Sequence, residues 1–335
     1  MKILSLLSLI FLPLSVYAEP ADTCWGDPVG TAVATVGKVS FTSNKRGAMA
    51  TVKISAKPGS FSGFCHLTRE TGTIRNNVRA SDRLVSSEIN PGYYKLNDDI
   101  DVDIYVAGYR IPFDATYPVT DIMERFTNLP IGERVPASHF SAAIDAEWKF
   151  KLRRDVIGGA IIIPPDVELY SAYPKEYVTG STASRPMYRV KTSSSGQIIA
   201  VPPECSINQG NAIEVNFDNI KTTAIPDSVD KSDTGYVRNI GLNFSCNTNL
   251  TQDIQVRLVA NPSAFSPDLI RSNKPRLGFV MKHNNQIVKP WGSFRSRLEG
   301  GKGQETITLA PVKAPELYLQ GGPFSASATL IIQSL

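Results

Sequence analysis

The stretch Gly321-Gly322-Pro323-Phe324-Ser325-Ala326-Ser327-Ala328-Thr329-Leu330-Ile331-Ile332 decides the fold of the half of the chain that carries it. After two glycines and a proline, Phe324, Ala326, Ala328, Leu330 and Ile332 fall at every second position, which in an extended chain puts them on one face. The same period runs back through Ile213, Val215 and Phe217, through Ile240, Leu242 and Phe244, and through Ile254, Val256 and Leu258. It continues in Leu277, Phe279 and Met281 and in Ile307 and Leu309, and Asn284-Asn285 offers a hairpin turn before Ile287. Half a dozen or more short strands of this kind predict an immunoglobulin-like β-sandwich. Alternation alone fits two cases equally: a strand of a complete sandwich, or a strand bordering an open one.

The other half is also β in character. Val52 and Ile54 alternate, as do Ile100, Val102, Ile104 and Val106, and then Trp148, Phe150 and Leu152. Ile161-Ile162-Ile163 runs into Pro164-Pro165, which predicts a strand ending at a sheet edge. Between the halves, Lys191 to Gly196 is a Ser/Thr/Gly stretch, and Ile198-Ile199-Ala200-Val201 leads into Pro202-Pro203. Such a passage reads as a domain joint. No long 3.6-residue period and no internal repeat interrupts this pattern, so the expected fold class is all-β with two sandwich domains.

Four cysteines stand at Cys24, Cys65, Cys205 and Cys246, each half holding a pair 41 positions apart. Two equal local loops point to Cys24–Cys65 and Cys205–Cys246, each worth roughly 4 kcal/mol in the loop-entropy account. A four-cysteine metal site would call for a Cys-x-x-Cys spacing that the chain lacks. Disulfides fit an exported protein, and the start of the chain reads as an export signal. Lys2 is the only charge before Glu19, Ile3 to Val16 is largely apolar, and Val16-Tyr17-Ala18 suits a signal peptidase. The expected organisation is a signal peptide over 1–18, a first domain over 19–197, a linker over 198–203 and a second domain over 204–335. The net charge of +4 is too mild to argue for nucleic acid or anionic lipid.

From Glu204-Cys205-Ser206-Ile207-Asn208 onward the second half resembles the pilin domains of chaperone–usher fimbriae, in particular the type 1 fimbrial family. The resemblance is carried by Cys205-x-Ile207-Asn208, by Ile213 to Phe217 with Asn219-Ile220, and by Asn243-Phe244-Ser245-Cys246. It continues in Leu277-Gly278-Phe279 with the Asn284-Asn285 turn, and it is most specific at Gly322, fourteenth from the C-terminus, before the final alternating strand. The departure is Ser334, where the family usually has an aromatic residue. In the first half, Pro91-Gly92-Tyr93-Tyr94-Lys95-Leu96-Asn97 and Gly158 to Pro164 look similar to segments of two-domain tip adhesins.

The resemblance implies a pilin sandwich lacking its last strand, with a groove along the bare edge open to strand addition. Phe324, Ala326, Ala328, Leu330 and Ile332 are then the candidate groove residues. The implied partners are a periplasmic chaperone, an outer-membrane usher, an adjacent subunit donating a strand, and a host glycan or protein receptor. The implied location is the fimbrial tip. Only Glu19 to Thr23 separate the expected cleavage point from Cys24, and Pro20 cannot donate a hydrogen bond, so this stretch makes a poor donor strand. The chain is therefore expected to be a tip adhesin; the alternative is a minor tip or initiator subunit without receptor binding.

Catalytic and metal chemistry find little support. Ser228-Val229-Asp230-Lys231 matches a Ser-x-x-Lys pattern without its partner motifs, and Gly300-Gly301-Lys302-Gly303 lacks phosphate-loop spacing. His66, His139 and His283 are scattered, and Asp99, Asp101 and Asp103 are expected on the solvent face of a strand. No enzyme, cofactor or metal is expected. Nine of the twelve tyrosines lie in the first half, among them Tyr93, Tyr94, Tyr105, Tyr109, Tyr117, Tyr170, Tyr173 and Tyr177. That bias fits a recognition domain without locating its site. The aromatic first residue of the mannose-binding type 1 adhesin has no counterpart at Glu19-Pro20, so mannose specificity is not implied.

Overall fold

The computed structural model describes residues 18–56, 60–70, 72–114, 123–126, 129–141, 146–176, 180–315 and 318–335. Most of the expected signal peptide, and Tyr117 and Tyr177, lie outside the described residues. Those residues form an all-β chain with three short 3-10 turns. They bury one large apolar core in the first unit and a second in the other.

In the first unit the strands neighbour one another in the order Gly132–Ser141, Ser60–Leu67, Thr23–Gly26, Glu168–Glu176, Tyr188–Thr192, Gly30–Val36, Met49–Ala56, Ala146–Leu152, Ile100–Val106 and Tyr94–Lys95. All pairs are antiparallel except Tyr188–Thr192 with Gly30–Val36. Strands from both ends of this path share a single core, so the sheet wraps around itself as a sandwich. Register explains the packing: Trp148 lies opposite Val52 and Ile104, and Phe150 opposite Ala50 and Val102. Trp148 and Phe150 are fully buried, each contributing about 2–3 kcal/mol of apolar burial.

One sequence expectation fails on the other face of that sheet. Asp99, Asp101 and Asp103 do alternate with core residues, but all three are buried rather than solvated. The chain from Ser81 to Tyr93 folds over this face. Ser87 and Asn90 donate to Asp101 at 2.5 and 2.7 Å, and Arg153 pairs with Asp101 at 2.6 Å. Arg154 holds Asp99 and Arg110 holds Asp103, each at 2.7 Å. A period of two identifies a face but not what covers it.

The joint is shorter than the sequence pattern implies. Gln197–Ala200 is a strand of the first unit, pairing Ile199 with Ile161 and Ile198 with Ile162, and both Ile199 and Val201 are buried in the first core. The chain crosses to the second unit over residues 201–204. There the Glu204 and Cys205 amides donate to the Ile157 carbonyl at 2.9 and 2.7 Å, while Ile157 itself is buried in the second core.

The second unit has one sheet ordered Cys205–Ile207, Arg238–Cys246, Lys302–Lys313, Leu277–His283 and Ile270–Arg271, facing another ordered Ser293–Leu298, Gln252–Val259 and Thr329–Ser334. Leu242, Phe244, Ile254, Val256, Leu277, Met281 and Ile307 fill the space between. Asn284 and Asn285 both take positive φ, the geometry of a tight hairpin turn that asparagine tolerates. Both disulfides form, Cys24–Cys65 and Cys205–Cys246, each joining directly opposed residues of neighbouring strands.

Candidate functional site

The second sandwich is open between two extended segments. The first follows Cys205–Ile207, which ends where Asn208, Gln209 and Gly210 take positive φ in succession. Asn208 carries this turn in two ways. It tolerates the left-handed backbone, and its side chain takes over the ladder where the main chain leaves it: the Asn243 amide donates to its Oδ1 at 2.8 Å, and its Nδ2 donates to the Gly241 carbonyl at 3.2 Å. Residues 211–217 then run on without a strand partner among the described residues. This is the physical reason that Ile213, Val215 and Phe217, despite their alternation, are not in a sheet.

The second segment precedes Thr329–Ser334. Gly322 turns the chain at φ +112°, a value that favours glycine. Between Pro323 and Ala328 the backbone is tied down near Ser325 alone. Its carbonyl accepts from the Asn273 amide and its amide donates to Asn273 Oδ1, each at 2.9 Å, beside a single bridge of Ala326 to Ser272. Lys274 Nζ donates to the Gly321 carbonyl at 2.9 Å and closes one end.

Between the segments lies a cavity of about 530 Å³, its apolar lining including Val215, Phe217, Ile225, Leu277, Leu319 and Phe324. Phe279, buried in the core, packs against two of these lining rings, 5.3 Å from that of Phe217 and 5.9 Å from that of Phe324. Arg238 lies over the Phe217 ring at 5.4 Å and donates to the Asn216 carbonyl at 2.9 Å, satisfying one of the main-chain groups of the bare segment. Ile213 remains 40% exposed. Such an arrangement offers apolar sockets and two lines of main-chain donors and acceptors, the features that capture an extended peptide.

The five residues picked out from the final alternation divide here. Phe324 lines the cavity, whereas Ala326 and Ala328 are exposed and are not part of its lining. Leu330 is half-buried against the core, and Ile332 is 2% exposed within it, on a strand already paired to Gln252–Val259. The opposite wall from Val215 to Ile220, and Leu319, were not assigned to the groove from sequence. The available signal was Ile213, Val215 and Phe217, an alternating run beside a motif that ends a strand.

The remaining candidates have structural roles. Ser228 Oγ accepts from the Asp230 amide and caps the turn Val229–Thr234, and Lys231 pairs with Asp227 at 3.3 Å. Gly300 and Gly301, both at positive φ, turn the chain between Ser293–Leu298 and Lys302–Lys313. His66 Nδ1 lies 2.7 Å from the Glu19 carbonyl, His139 is exposed, and His283 Nε2 meets Glu305 at 2.7 Å. No three His, Cys, Asp or Glu among the described residues are grouped as a metal set.

Residues 193–333, which take in the joint and nearly all of the open sandwich, match the family model described as fimbrial protein. The chain is 24% identical over 265 residues to the protein LpfD of Salmonella typhimurium, covering 72% of this chain and 70% of that one. It is 28% identical over 142 residues to the uncharacterized fimbrial-like protein YfcR of Escherichia coli, covering 40% of this chain and 75% of that one. Among solved structures, the CupB6 tip adhesin of Pseudomonas aeruginosa aligns over 93% of this chain and 94% of its own at 14% identity and a TM-score of 0.29.

Proposed function

We propose that this chain is the adhesive tip subunit of a chaperone–usher fimbria, with a receptor-binding first unit and a second unit that accepts a strand from the adjacent subunit. The observation that carries the reading is the groove lined by residues 215–220 and 319–324, in a unit that matches the fimbrial protein family model. A donor strand laid between these segments would bond to both, and its alternate side chains would enter the cavity over Phe217 and Phe324. A periplasmic chaperone fills the same edge before assembly at the outer-membrane usher, and the neighbouring subunit's extension then replaces it. The stretch 19–26 does not serve as a donor. Thr23–Gly26 pairs with Ser60–Leu67 and, through Thr23, with Glu168–Glu176, and Glu19 holds Ser184.

The test adds a donor peptide with alternating apolar residues, taken from the N-terminal extension of the adjacent subunit, to the full chain. At about a hundredfold excess over its dissociation constant, such a ligand stabilises the fold by about 2.7 kcal/mol. A raised unfolding midpoint, lost when Phe217 and Phe324 are both replaced by aspartate in a chain that still folds, is the expected result. No binding and no shift would remove the assembly reading. Adhesion is read separately. Cells lacking the chain should keep fimbriae but attach poorly, whereas loss of the fimbriae themselves would favour an initiator subunit.

A further inference from the structure

The outer face of the first unit gathers aromatic and charged side chains that neither the core nor the joint uses. On the strand Ala146–Leu152, Trp148 and Phe150 point into the core, so Lys149 and Lys151 point out. Register places Lys149 opposite Asp103, and Tyr105 opposite both Glu147 and Arg110. Tyr94 sits opposite the core residue Val102, which turns its neighbour Tyr93 to the same outer face. The Lys149 ammonium lies 4.1 Å from the centre of the Tyr105 ring and that of Lys151 5.7 Å from Tyr93. Arg110 is fixed between Asp103, at 2.7 Å, and the Gly92 carbonyl. Gly92 takes φ +84°, and a Cβ there would come within 2.4 Å of the guanidinium. Burial, and after it the charge of Asp103, raise the Tyr93 phenol above its ordinary range.

Asp101, which register places opposite Lys151, is held by Arg153. Asp103 is committed to Arg110, and Glu147 meets Lys149 only at 3.7 Å with both partners partly exposed. Lys151 has no carboxylate partner among the described residues. Ammonium groups over aromatic rings are held in place by the ring quadrupole, and phenol oxygens beside them supply hydrogen bonds of both senses. Resting on the adhesin reading above, we propose that this face, formed by Tyr93, Tyr105, Lys149 and Lys151 with Arg110 fixed beside them, is the receptor site and that it takes an anionic saccharide. The carboxylate or sulfate of the sugar meets the Lys149 and Lys151 ammoniums, and its hydroxyls meet the phenols.

The experiment screens the full chain against sialylated, uronate-containing and sulfated glycans and their neutral counterparts, then measures affinities by interferometry with 3′-sialyllactose, a heparin octasaccharide and lactose. The two charged probes separate carboxylate from sulfate recognition. At least one should bind ten-fold or more tightly than lactose, and Lys149→Gln with Lys151→Gln should lower that affinity at least ten-fold. Lys289→Gln with Lys302→Gln, in the second unit, should leave it within two-fold. Tyr105→Phe keeps the ring under Lys149 and should lose several-fold, at an unchanged unfolding midpoint. Neutral and charged glycans bound equally, no glycan bound, or equal loss in the remote double variant would overturn the site. Cells whose fimbriae carry the Lys149/Lys151 variant and attach like the parent would overturn it while leaving adhesion intact. Cells lacking the whole chain that still attach would overturn adhesion itself.

Discussion

Replacing Gly158 by alanine tests how the two units are held. Its added Cβ would lie 2.0 Å from the Ile332 carbonyl oxygen and 2.9 Å from the Ile332 nitrogen and carbonyl carbon. These are main-chain atoms of a strand paired along its length to Gln252–Val259, so no side-chain rotation relieves the clash. Restoring ordinary contact takes a retreat of more than about 1 Å, a strain of about 1–3 kcal/mol. The displacement also pulls the next residue away. Gln333 donates to Asp99 at 2.6 Å, a bond to a charged group worth about 1.5–3 kcal/mol. The combined cost is about 2.5–6 kcal/mol. With a urea slope of about 2 kcal/mol/M, the midpoint should fall by roughly 2 M. Fluorescence follows it well, because Trp291 of the second unit packs against Gly196 of the first. Gly241→Ala is the control: nothing lies within 4 Å of its Cβ, and the smaller entropy of the unfolded chain should make it neutral or stabilising by up to about 1 kcal/mol. Equal midpoints for the two variants would refute the close passage of Gly158 over Ile332.

Arg153→Ala should destabilise the first unit by about 3–5 kcal/mol, since it strands the fully buried Asp101 carboxylate; chemical unfolding measures it. Asn208→Ala removes both side-chain bonds that close the ladder and should cost about 1–3 kcal/mol, with faster amide exchange at Asn243 as its local signature. Acid should loosen the joint. The hydrogen bond from Thr248, followed by the charge of Lys45, outweighs burial and holds the Glu204 carboxyl below the ordinary glutamate range. A depressed folded value contributes stability that is complete above the ordinary value and is lost as pH falls through the folded one. Thermal midpoints between pH 6 and pH 3 should therefore fall less steeply for Glu204→Gln than for the parent.

Much of the strand content was legible because Trp148, Phe150 and Leu152, or Ile254, Val256 and Leu258, each have one face against a core, and that is what a period of two records. The disulfides were legible because each closes a local pair of neighbouring strands. What the pattern could not supply was the environment of the second face. Asp101 and Asp103 alternate just as solvated residues would, yet Arg153 and Arg110 reach them from elsewhere in the sequence. Gln197–Ala200 fails for a related reason. A Ser/Gly stretch before it and a proline pair after it signal a linker locally, while Ile198 and Ile199 find partners some 37 residues upstream. Of the five residues picked out from the terminal alternation, Phe324 alone lines the cavity. Phe324 announced one wall through Gly322 and the terminal alternation, but the other wall depends on Asn208 diverting the chain, a tertiary event.

The openness of the second unit is local and is not a consequence of its fold. Both units begin with a strand stapled by a disulfide to a neighbour. In the first, Thr23–Gly26 lies inside the sheet, with Ser60–Leu67 on one side and Glu168–Glu176 on the other. In the second, Cys205–Ile207 has one neighbour, and the turn at 208–210 carries residues 211–217 away from the ladder. A chain can leave such a segment bare at low cost only where water reaches its amides and carbonyls, and only while its apolar side chains have some shelter. Phe217 has that shelter from Phe279, whereas Ile213 and Val215 have less. The unmet requirement is thus one of backbone pairing and apolar cover together. A single residue or a small ligand could supply at most one of these, whereas an extended peptide with alternating apolar side chains supplies both at once.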